Sequence, residues 1–432
     1  MTDANARALF ELRIYVVAAL IGASCSWTTP RISPELHLGE RSFLASMSAH
    51  TDSPFVDGNR VEILLNGDGT FPRVLSAIRA ARRSITFEQY FWDAGPISDE
   101  LAGALAERCL RGVKVHVLLD SAGGSGIEGR LVSQLESSGC QLEWYRPIEL
   151  LQFLTPWELL AYNNRSHRRI LVVDGEVGFT GGYGISEAWM GDGAHPDHWR
   201  DTNVEVRGPV VREMQAAFVQ DWWATTDTVL TGDDYFPDLP RADGVKAQVV
   251  KSSPAGGASD AYMMFLLAIS AAQRSIYVTN PYFVIDDAFK EEFIRAAKRG
   301  VRVFALVPGR LENELLRVDQ NLVHYAGRGE LGELLEGGVR VFEYKAALLH
   351  AKTMVVDGVW ATIGSTNFDP RSFQLNEELN VTVFDSGVAG QLEDIFLRDL
   401  ERSEEMSYAQ WQSRGLRQRI LELFAFPARS QL

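Results

Sequence analysis

The chain has 432 residues, of which 46% are hydrophobic and 23% charged, a composition typical of a globular protein. This length is enough for two domains with full cores. The formal charge of −15 argues against broad electrostatic binding of nucleic acid or of an anionic bilayer, which draws on Lys and Arg in patches. Any recognition of phosphate by this chain must therefore be local.

The N-terminal segment, residues 1–57, differs in kind from the rest of the chain. Arg7 and Arg13 precede an apolar run at 14–23. The run is too short to span a bilayer, which takes about 20 residues, and it resembles the apolar region of a signal peptide. Asp3 and Glu11 weaken this interpretation. The tetrapeptide ending at Cys25 is close to a bacterial lipoprotein cleavage site, although glycine stands where leucine is usual. Export, a lipoprotein anchor near Cys25, an uncleaved membrane-associated helix and a segment without fixed structure all stay open.

Residues 58–230 form the first predicted domain, in which helical and strand patterns alternate. The elements in chain order are helix 98–111, strand 113–120, helix 129–138 and strand 141–145. Each of the two helices is followed by a glycine, a frequent helix terminator. Strands separated by helices of about ten or more residues predict βαβ units, so we expect an α/β fold with a mixed, largely parallel sheet flanked by helices.

The middle of the chain contains an insertion and a linker. The apolar, aromatic stretch at 150–162 has no counterpart later in the chain, and it fits either a bilayer-contacting, acyl-chain-guiding element or a buried helix. The acidic stretch at 231–245, which contains proline and glycine, is the predicted linker. Residues 246–432 form the second predicted domain, which ends in a helix.

The two predicted domains repeat one another. Three pairs of segments match: 77–85 with 268–276, 111–115 with 299–303, and 135–145 with 335–344. Self-similarity over this length predicts two copies of one fold. In each copy an aromatic pair, Tyr-Phe, ends the equivalent strand and either lines the mouth of a shared site or packs in the core.

The second copy carries the more complete of two short motifs. His350 and Lys352 lie two residues apart at the head of an apolar, β-branched strand, so both side chains point the same way. Asp357 follows after four residues, and Gly364-Ser365-Thr366-Asn367 follows after six more. An imidazole beside a fixed cation suits attack on a phosphodiester, because negative charge builds on the phosphoryl oxygens.

The first copy has the same spacing with two changes. It contains His167 and Asp174, but Arg169 stands where the second copy has lysine, and Gly184 stands where it has asparagine. A single motif of this kind is more often a polar strand end than a site, whereas two copies at matched spacing indicate a shared site. Arginine keeps the positive charge and can bind phosphate bidentately, so the change is compatible with phosphate binding.

The paired pattern resembles the phospholipase D superfamily, whose signature is H-x-K-x4-D-x6-G-S-x-N, once per half. The surrounding sequence resembles the bacterial cardiolipin synthase branch. The matching segments are 58–61, 77–90, 199–202, 280–283 and 367–378. The resemblance implies two homologous α/β sandwich halves with the active site between them.

The resemblance also implies a division of labour between the histidines. One attacks phosphorus, while the other protonates the leaving alcohol and then activates the acceptor. The N-terminal copy commonly supplies the nucleophile in this superfamily, which favours His167, whereas the intact second motif argues for His350. Arg169 and Lys352 would hold the non-bridging phosphate oxygens.

The three cysteines give no sign of a metal or a disulfide framework. Cys25, Cys109 and Cys140 are odd in number, widely spaced and not paired with histidines at zinc spacing. We therefore expect no metal site and no disulfide framework. The reaction that the resemblance implies is also expected to need no cofactor.

The motif aspartates, Asp174 and Asp357, have two interpretations. They belong to the catalytic set of the signature. However, their strand parity is opposite to that of the histidines and a glycine follows each of them, which also fits a role in tying down the turn.

Each histidine is expected to have a carboxylate partner that fixes its tautomer. Alignment of two later strands sets Asp201 opposite Glu378. Asp201 is thus the predicted partner of His167, and Glu378 that of His350.

The remaining motif residues, Ser365 and Asn367, offer a hydroxyl and an amide at a glycine-bearing turn. They suit hydrogen bonding to phosphate oxygens, or to a neighbouring loop.

These features together predict a membrane-associated phosphatidyltransferase of cardiolipin synthase type. It would work at a membrane surface, join two phosphatidylglycerols through a phosphohistidine intermediate and release glycerol. The alternatives are a hydrolytic phospholipase D that releases phosphatidic acid, a phosphodiester nuclease, or an inactive lipid-binding protein. The acidic charge argues against the nuclease, and no nucleic acid partner is expected. The membrane face and the oligomeric state are not readable from the sequence.

Overall fold

The computed structural model describes residues 32–415 apart from four gaps, together with three residues nearer the C-terminus. The gaps are Pro34, 148–163, 254–258 and 310–317, and the further residues are 418, 419 and 422. The signal-like run and the insertion at 150–162 lie outside the described residues, as does most of the predicted C-terminal helix.

The described residues form fifteen strands and eleven α-helices, none of which is long and apolar enough to cross a bilayer. The strands are β1 (Val56–Leu65), β2 (Ser84–Gln89), β3 (Lys114–Asp120), β4 (Gln141–Tyr145), β5 (Ile170–Val173), β6 (Val177–Gly181), β7 (Thr202–Arg207), β8 (Val245–Ser252), β9 (Ser275–Thr279), β10 (Arg302–Pro308), β11 (Arg340–Tyr344), β12 (Thr353–Val356), β13 (Trp360–Gly364), β14 (Glu378–Phe384) and β15 (Ser403–Met406). The helices are α1 (Arg41–His50), α2 (Asn66–Ala80), α3 (Pro96–Leu110), α4 (Gly129–Ser137), α5 (Val211–Thr226), α6 (Asp260–Ala271), α7 (Asp287–Lys298), α8 (Val318–Glu336), α9 (Pro370–Gln374), α10 (Ser386–Leu400) and α11 (Tyr408–Gln412). The predicted alternation of helix and strand in the first half is confirmed by α3, β3, α4 and β4.

All these strands join one sheet, and its order displays the repeat. From edge to edge it runs β15-β11-β10-β9-β12-β13-β14-β8-β1-β7-β6-β5-β2-β3-β4. Read outward from β1, the first half has the order β1-β7-β6-β5-β2-β3-β4, and the second half read outward from β8 has the equivalent order with β15 added at its edge. β1 and β8 pair antiparallel at the centre. The predicted duplication is therefore confirmed.

The predicted mixed sheet is also confirmed, but its parallel part is smaller than expected. Among the described strands, parallel pairing is confined to β2-β3-β4 and β9-β10-β11, while the other pairs are antiparallel. Three residues join β5 to β6, and three join β12 to β13. So short a link permits an antiparallel hairpin and excludes a parallel crossover. The expectation of a largely parallel sheet is wrong in this respect.

Helices pack on both faces of the sheet, as an α/β sandwich requires. On one face α2, α3 and α4 cover the first half and α6, α7 and α8 cover the second. On the other face α5 and α10 share a single core that includes strands of both halves. Phe218 of α5 and Phe396 of α10 are buried in it, and each large side chain of this kind stabilises the fold by roughly 1.5–3 kcal/mol. The halves cannot separate without exposing this core.

Cys109 and Cys140 form a disulfide, which corrects the expectation of none. Their Cα atoms lie 5.5 Å apart although 31 residues separate them in the chain. Cys109 is in the last turn of α3, and Cys140 immediately precedes β4. The packing of α3 against α4 brings the two together, and this packing cannot be read from cysteine spacing.

Candidate active site

The two motif loops meet at the junction of the halves, where backbone hydrogen bonds cross from one half to the other. The N–H of His167 donates to the carbonyl of Glu377 at 2.9 Å, and the N–H of His350 donates to the carbonyl of Arg200 at 2.7 Å. An isolated β-bridge lies beside each contact. The main chain of each motif histidine is thus fixed by the opposite half.

The His167 imidazole is held between a carboxylate and a guanidinium. Nδ1 lies 3.1 and 3.2 Å from the two carboxylate oxygens of Glu378. Nε2 lies 3.2 Å from Nη2 of Arg169. The Tyr90 ring packs edge-on against the imidazole at 4.9 Å, and His167 is 7% exposed. The His167 ring is therefore held in place on most sides by these neighbours, and only a small part of the residue is exposed.

The His350 imidazole has the equivalent arrangement with different partners. Nδ1 lies 2.9 Å from Oδ2 of Asp201, and Nζ of Lys352 lies 3.0 Å from Nε2 and 3.1 Å from Nδ1. Lys352 also donates to the His350 carbonyl at 2.8 Å, which fixes the ammonium beside the ring. The Trp189 ring packs nearly perpendicular to the imidazole at 5.1 Å.

Each carboxylate therefore contacts the histidine of the other half, which corrects the predicted pairing. Sequence alignment identifies Asp201 and Glu378 as equivalent residues, but it does not show which histidine each one faces. Because the motif loops cross between the halves, Asp201 reaches His350 and Glu378 reaches His167.

The partners on the two ring nitrogens give both histidines the same tautomer. Nδ1 carries the proton and donates it to the carboxylate, while Nε2 keeps its lone pair beside the cation. Burial, aided by the charge of Lys352 and opposed by Asp201, lowers the pKa of His350 to about 3. Burial, aided by the charges of Arg169 and Lys352, also lowers the pKa of His167 well below its usual value. Both imidazoles are neutral near pH 7 and present a lone pair.

Arg169 and Lys352 bring two positive charges into the same buried site. They are 1% and 2% exposed. Burial and the charge of Arg169 lower the pKa of Lys352 well below its usual value, although nearby carboxylates oppose this. An anionic group bound between the two cations would relieve their repulsion. The pair of cations therefore suits a site that binds a negatively charged phosphodiester.

The two carboxylates differ in protonation. Burial alone would raise the pKa of Asp201, but the hydrogen bond with His350 and the nearby charge of Lys352 outweigh burial, and the pKa is lowered. Burial raises the pKa of Glu378 to about 7, although two serine hydroxyls donate to it. Asp201 is therefore ionised at neutral pH, whereas Glu378 is close to its midpoint.

Ser365 acts on Glu378, so its hydroxyl is not open toward a phosphate. Its Oγ donates to one carboxylate oxygen of Glu378, and Oγ of Ser372 donates to the other at 2.7 Å. The Asn367 side chain lies in the same turn, and its Oδ1 is buried without a hydrogen-bond partner among the described residues. Of the two predicted alternatives, Ser365 takes the contact with a neighbouring side chain, while Asn367 keeps an unused acceptor.

Asp174 and Asp357 are turn residues, which corrects their inclusion in the catalytic set. Asp174 accepts hydrogen bonds from the backbone N–H groups of residues 82–84, and Asp357 accepts from those of residues 273–275. Both have positive φ, of 56° and 54°, in the tight hairpin turns. A four-residue strand, β5 or β12, separates each aspartate from the loop of its histidine, and the strand alone spans roughly 13 Å. They hold the sheet together far from the chemistry.

Trp189 fills the space that the incomplete first motif leaves. A Cβ on Gly182, the counterpart of Ser365, would overlap the Asp201 carboxylate. A Cβ on Gly184 would lie 3.0 Å from the Trp189 ring. The indole N–H donates to Oδ2 of Asp201 at 2.9 Å. An indole thus takes the place of the serine and asparagine of the second motif, and no feature of the motif spacing predicts it.

Arg168 supports the loop beneath His167. It is fully buried, and its guanidinium lies 3.1 Å from Asp221 and 3.2 Å from Glu377. The carbonyl of Glu377 accepts the N–H of His167. A buried ion pair between a motif residue and the opposite half therefore sets the position of the His167 backbone.

Comparison with known proteins agrees with this geometry. A family model described as "Cardiolipin synthase, PLD-like domain" matches residues 74–222 and 265–400, one range in each half. A cardiolipin synthase of Geobacillus thermodenitrificans is 33% identical over 395 residues, which cover 91% of this chain and 75% of that protein. A cardiolipin synthase of Staphylococcus aureus is 32% identical over 360 residues, 83% of this chain and 70% of that protein.

Solved structures show the same fold at lower sequence identity. Phosphatidylserine synthase of Haemophilus influenzae superposes with a TM-score of 0.69 at 13% identity, over 91% of this chain and 100% of that one. Polyphosphate kinase of Porphyromonas gingivalis gives a TM-score of 0.53 at 13% identity, over 94% and 57%. With two copies of the motif, a duplicated sheet and these relatives, the chain belongs to the cardiolipin synthase family of PLD-like proteins.

Proposed function

We propose that this protein is a phosphatidyltransferase that joins two phosphatidylglycerols into cardiolipin and releases glycerol. The observation that carries the proposal is the pair of buried histidines, each with Nε2 beside a cation and Nδ1 on a carboxylate. Two neutral imidazoles and two cations around one space suit two successive displacements at a single phosphorus. Family membership supplies the lipid substrate.

In the first displacement, Nε2 of His167 attacks the phosphorus of one phosphatidylglycerol. The P–N bond forms and the P–O bond to the terminal glycerol breaks, while Arg169 and Lys352 neutralise the non-bridging oxygens. Binding of the anionic phosphodiester raises the pKa of His350, which takes up a proton from solvent and gives it to the leaving glycerol oxygen. The product is a phosphatidyl-histidine and free glycerol.

In the second displacement, a hydroxyl of another phosphatidylglycerol attacks the same phosphorus. His350 takes the proton of that hydroxyl, the new P–O bond forms and the P–N bond to His167 breaks. The resulting imidazolium of His350 gives up its proton to solvent. Cardiolipin leaves and both histidines return to the neutral state.

The different protonation of the carboxylates supports this assignment of roles. The histidine that becomes an imidazolium during each displacement needs an anionic partner, and Asp201, with its lowered pKa, is beside His350. Glu378, with its raised pKa of about 7, is beside His167 and serves mainly to fix the ring. His167 is therefore the proposed nucleophile.

We also propose that the protein works at a membrane surface, because both the substrate and the product are bilayer lipids. The insertion at 150–162 and the N-terminal run at 14–23 are the proposed contacts with the bilayer. Deletion of 150–162 should lower sedimentation of the protein with phosphatidylglycerol vesicles. Unchanged sedimentation would contradict the role of the insertion.

The direct test of the activity is incubation of the purified protein with labelled phosphatidylglycerol, followed by mass spectrometry of the lipids. Cardiolipin with an equal amount of glycerol is the expected result. Phosphatidic acid alone would identify a hydrolase, in which water accepts the phosphatidyl group. If neither cardiolipin nor phosphatidic acid forms, the proposal of an active enzyme is overturned.

A further inference from the structure

A cavity of about 70 Å³ opens beside His350 at the carboxyl ends of β9, β10 and β11. Its walls are largely apolar and include Phe283, Val307, Leu331 and Leu349. Since His350 lines it, the cavity is on the side of the site where the leaving glycerol departs and the acceptor hydroxyl arrives.

One arginine interrupts the apolar wall of this cavity. Arg328, on α8, also lines it, and its guanidinium donates to Glu343. Glu343 is shared with Lys345, whose Nζ lies 2.7 Å from its other oxygen. The Nε of Arg328 is buried and has no hydrogen-bond partner among the described residues. A charged donor with an unused N–H is unexpected in a cavity that only encloses hydrocarbon.

A cation at such a place would favour the second displacement. The acceptor phosphatidylglycerol carries its own phosphodiester, one glycerol unit away from the attacking hydroxyl. That second negative charge must approach a site already occupied by the first. Arg169 and Lys352 are assigned to the reacting phosphorus, so another cation on the His350 side would reduce the repulsion between the two phosphates.

We propose that the cavity is the acceptor site and that Arg328 binds the non-reacting phosphate of the acceptor lipid. This inference rests on the proposed transferase function. Glycerol, as the leaving group or as an acceptor, has no phosphate and does not need Arg328. The arginine therefore discriminates between acceptors and leaves the first displacement alone.

The test compares two acceptors that differ in the phosphate. One assay measures conversion of phosphatidylglycerol to cardiolipin below saturation, and the other measures incorporation of isotope-labelled glycerol into phosphatidylglycerol. Arg328→Met should lower the first rate by on the order of 10- to 100-fold, the usual value of a charged hydrogen bond, and leave the second at the parent rate. Arg328→Lys should restore part of the first rate, since it restores the charge but not the guanidinium geometry.

Two controls keep the outcome interpretable. Arg340→Met removes an exposed ion pair with Glu405 at the other end of β11 and should change neither assay. Arg328→Met combined with Glu343→Gln removes the carboxylate partner as well, and it should behave like the single variant if the loss is one of phosphate binding.

Equal losses of both reactions in Arg328→Met would assign Arg328 to the structure of the site or to donor binding. Unchanged cardiolipin formation would remove it from the acceptor site. If the parent protein forms no cardiolipin at all, the proposed transferase function fails, and this is visible before any variant is made.

Discussion

The two histidines are held in matching geometry by unlike neighbours. On the second-half carboxylate, Glu378, two serine hydroxyls converge, whereas the first-half carboxylate, Asp201, receives an indole N–H. The pKa of Glu378 is raised and that of Asp201 is lowered. The departures of the first motif from the signature therefore accompany a different acid–base setting, and they are not the marks of a decayed half.

The largest effect is expected from removal of either histidine. His167→Ala and His350→Ala should each reduce cardiolipin formation by several orders of magnitude, because each removes one of two displacement roles. Lipid mass spectrometry measures the product, and circular dichroism checks the fold. Near-parental activity in either variant would contradict a site that needs both halves.

The second prediction concerns the cation of the imperfect motif. Arg169→Ala should lower the rate by about 100- to 1,000-fold, the usual loss for one preorganised group that stabilises developing charge. Arg169→Lys should retain a measurable fraction, since it copies the second motif. If Arg169→Ala transfers phosphatidyl groups as fast as the parent, Arg169 is not a phosphate ligand.

A third prediction tests the indole that replaces the serine. Trp189→Phe keeps the ring against His350 but removes the N–H donated to Asp201, and it should lower turnover by about 10- to 100-fold, the value of one charged hydrogen bond. Trp223→Phe, at an exposed position of α5, is the matched control and should have no effect. Equal activity of the two variants would reduce Trp189 to a packing residue.

The smallest expected effect is a shift of the pH profile. His167 is fixed by ionised Glu378, so the rate should fall as the pH decreases through about 7, the pKa of Glu378. Ser372→Ala removes a hydrogen bond that favours the carboxylate, which should move the acid limb upward by roughly one pH unit. Burial also raises the pKa of Asp369 to about 7, and Ser372 lowers it, so Ser372→Ala acts on both carboxyls. The shift is therefore measured in an Asp369→Asn background, where Glu378 is the carboxyl that remains beside Ser372. If the acidic side of the pH–rate profile does not move, Ser372 does not control the protonation of Glu378.

The same raised pKa fixes the sign of a stability effect. In the folded protein Glu378 holds its proton up to about pH 7, above its ordinary value of 4.5, so the folded state binds more protons than the unfolded state in that window. The contribution of Glu378 to stability is therefore present at low pH and decreases as the pH rises from about 4.5 to 7. Glu378→Gln should flatten this part of a plot of unfolding free energy against pH.

The residues that were predictable are those that repeat. His167, His350, Arg169 and Lys352 follow from two copies of one spacing, and the equivalence of the halves follows from matched segments. The sheet order then confirms the duplication strand by strand. Local periodicity and repetition are properties of the sequence itself, so they are visible without a structure.

The features that could not be predicted are contacts between distant segments. Glu378 lies 211 residues from His167, and its choice of histidine depends on how two loops cross. Trp189 belongs to no motif, and Cys109 meets Cys140 only because two helices pack. The short turns at Asp174 and Asp357 are visible in the sequence and are compatible with antiparallel hairpins. The alternation of helices and strands around them favours parallel pairing, so the sequence predicts a more parallel sheet than the structure has.

Each carboxylate contacts the histidine of the opposite half, and this arrangement allows the two histidines to differ from one another. In an assembly of two identical chains, any substitution would alter both histidines at once and keep them alike. Here both crossings lie in one polypeptide, so the glycine at position 182, where the second motif has a serine, affects the neighbourhood of His350 alone. Fusion of the copies thus frees each histidine to acquire its own proton affinity, and a pair that began as equals can be divided into an attacker and a proton carrier.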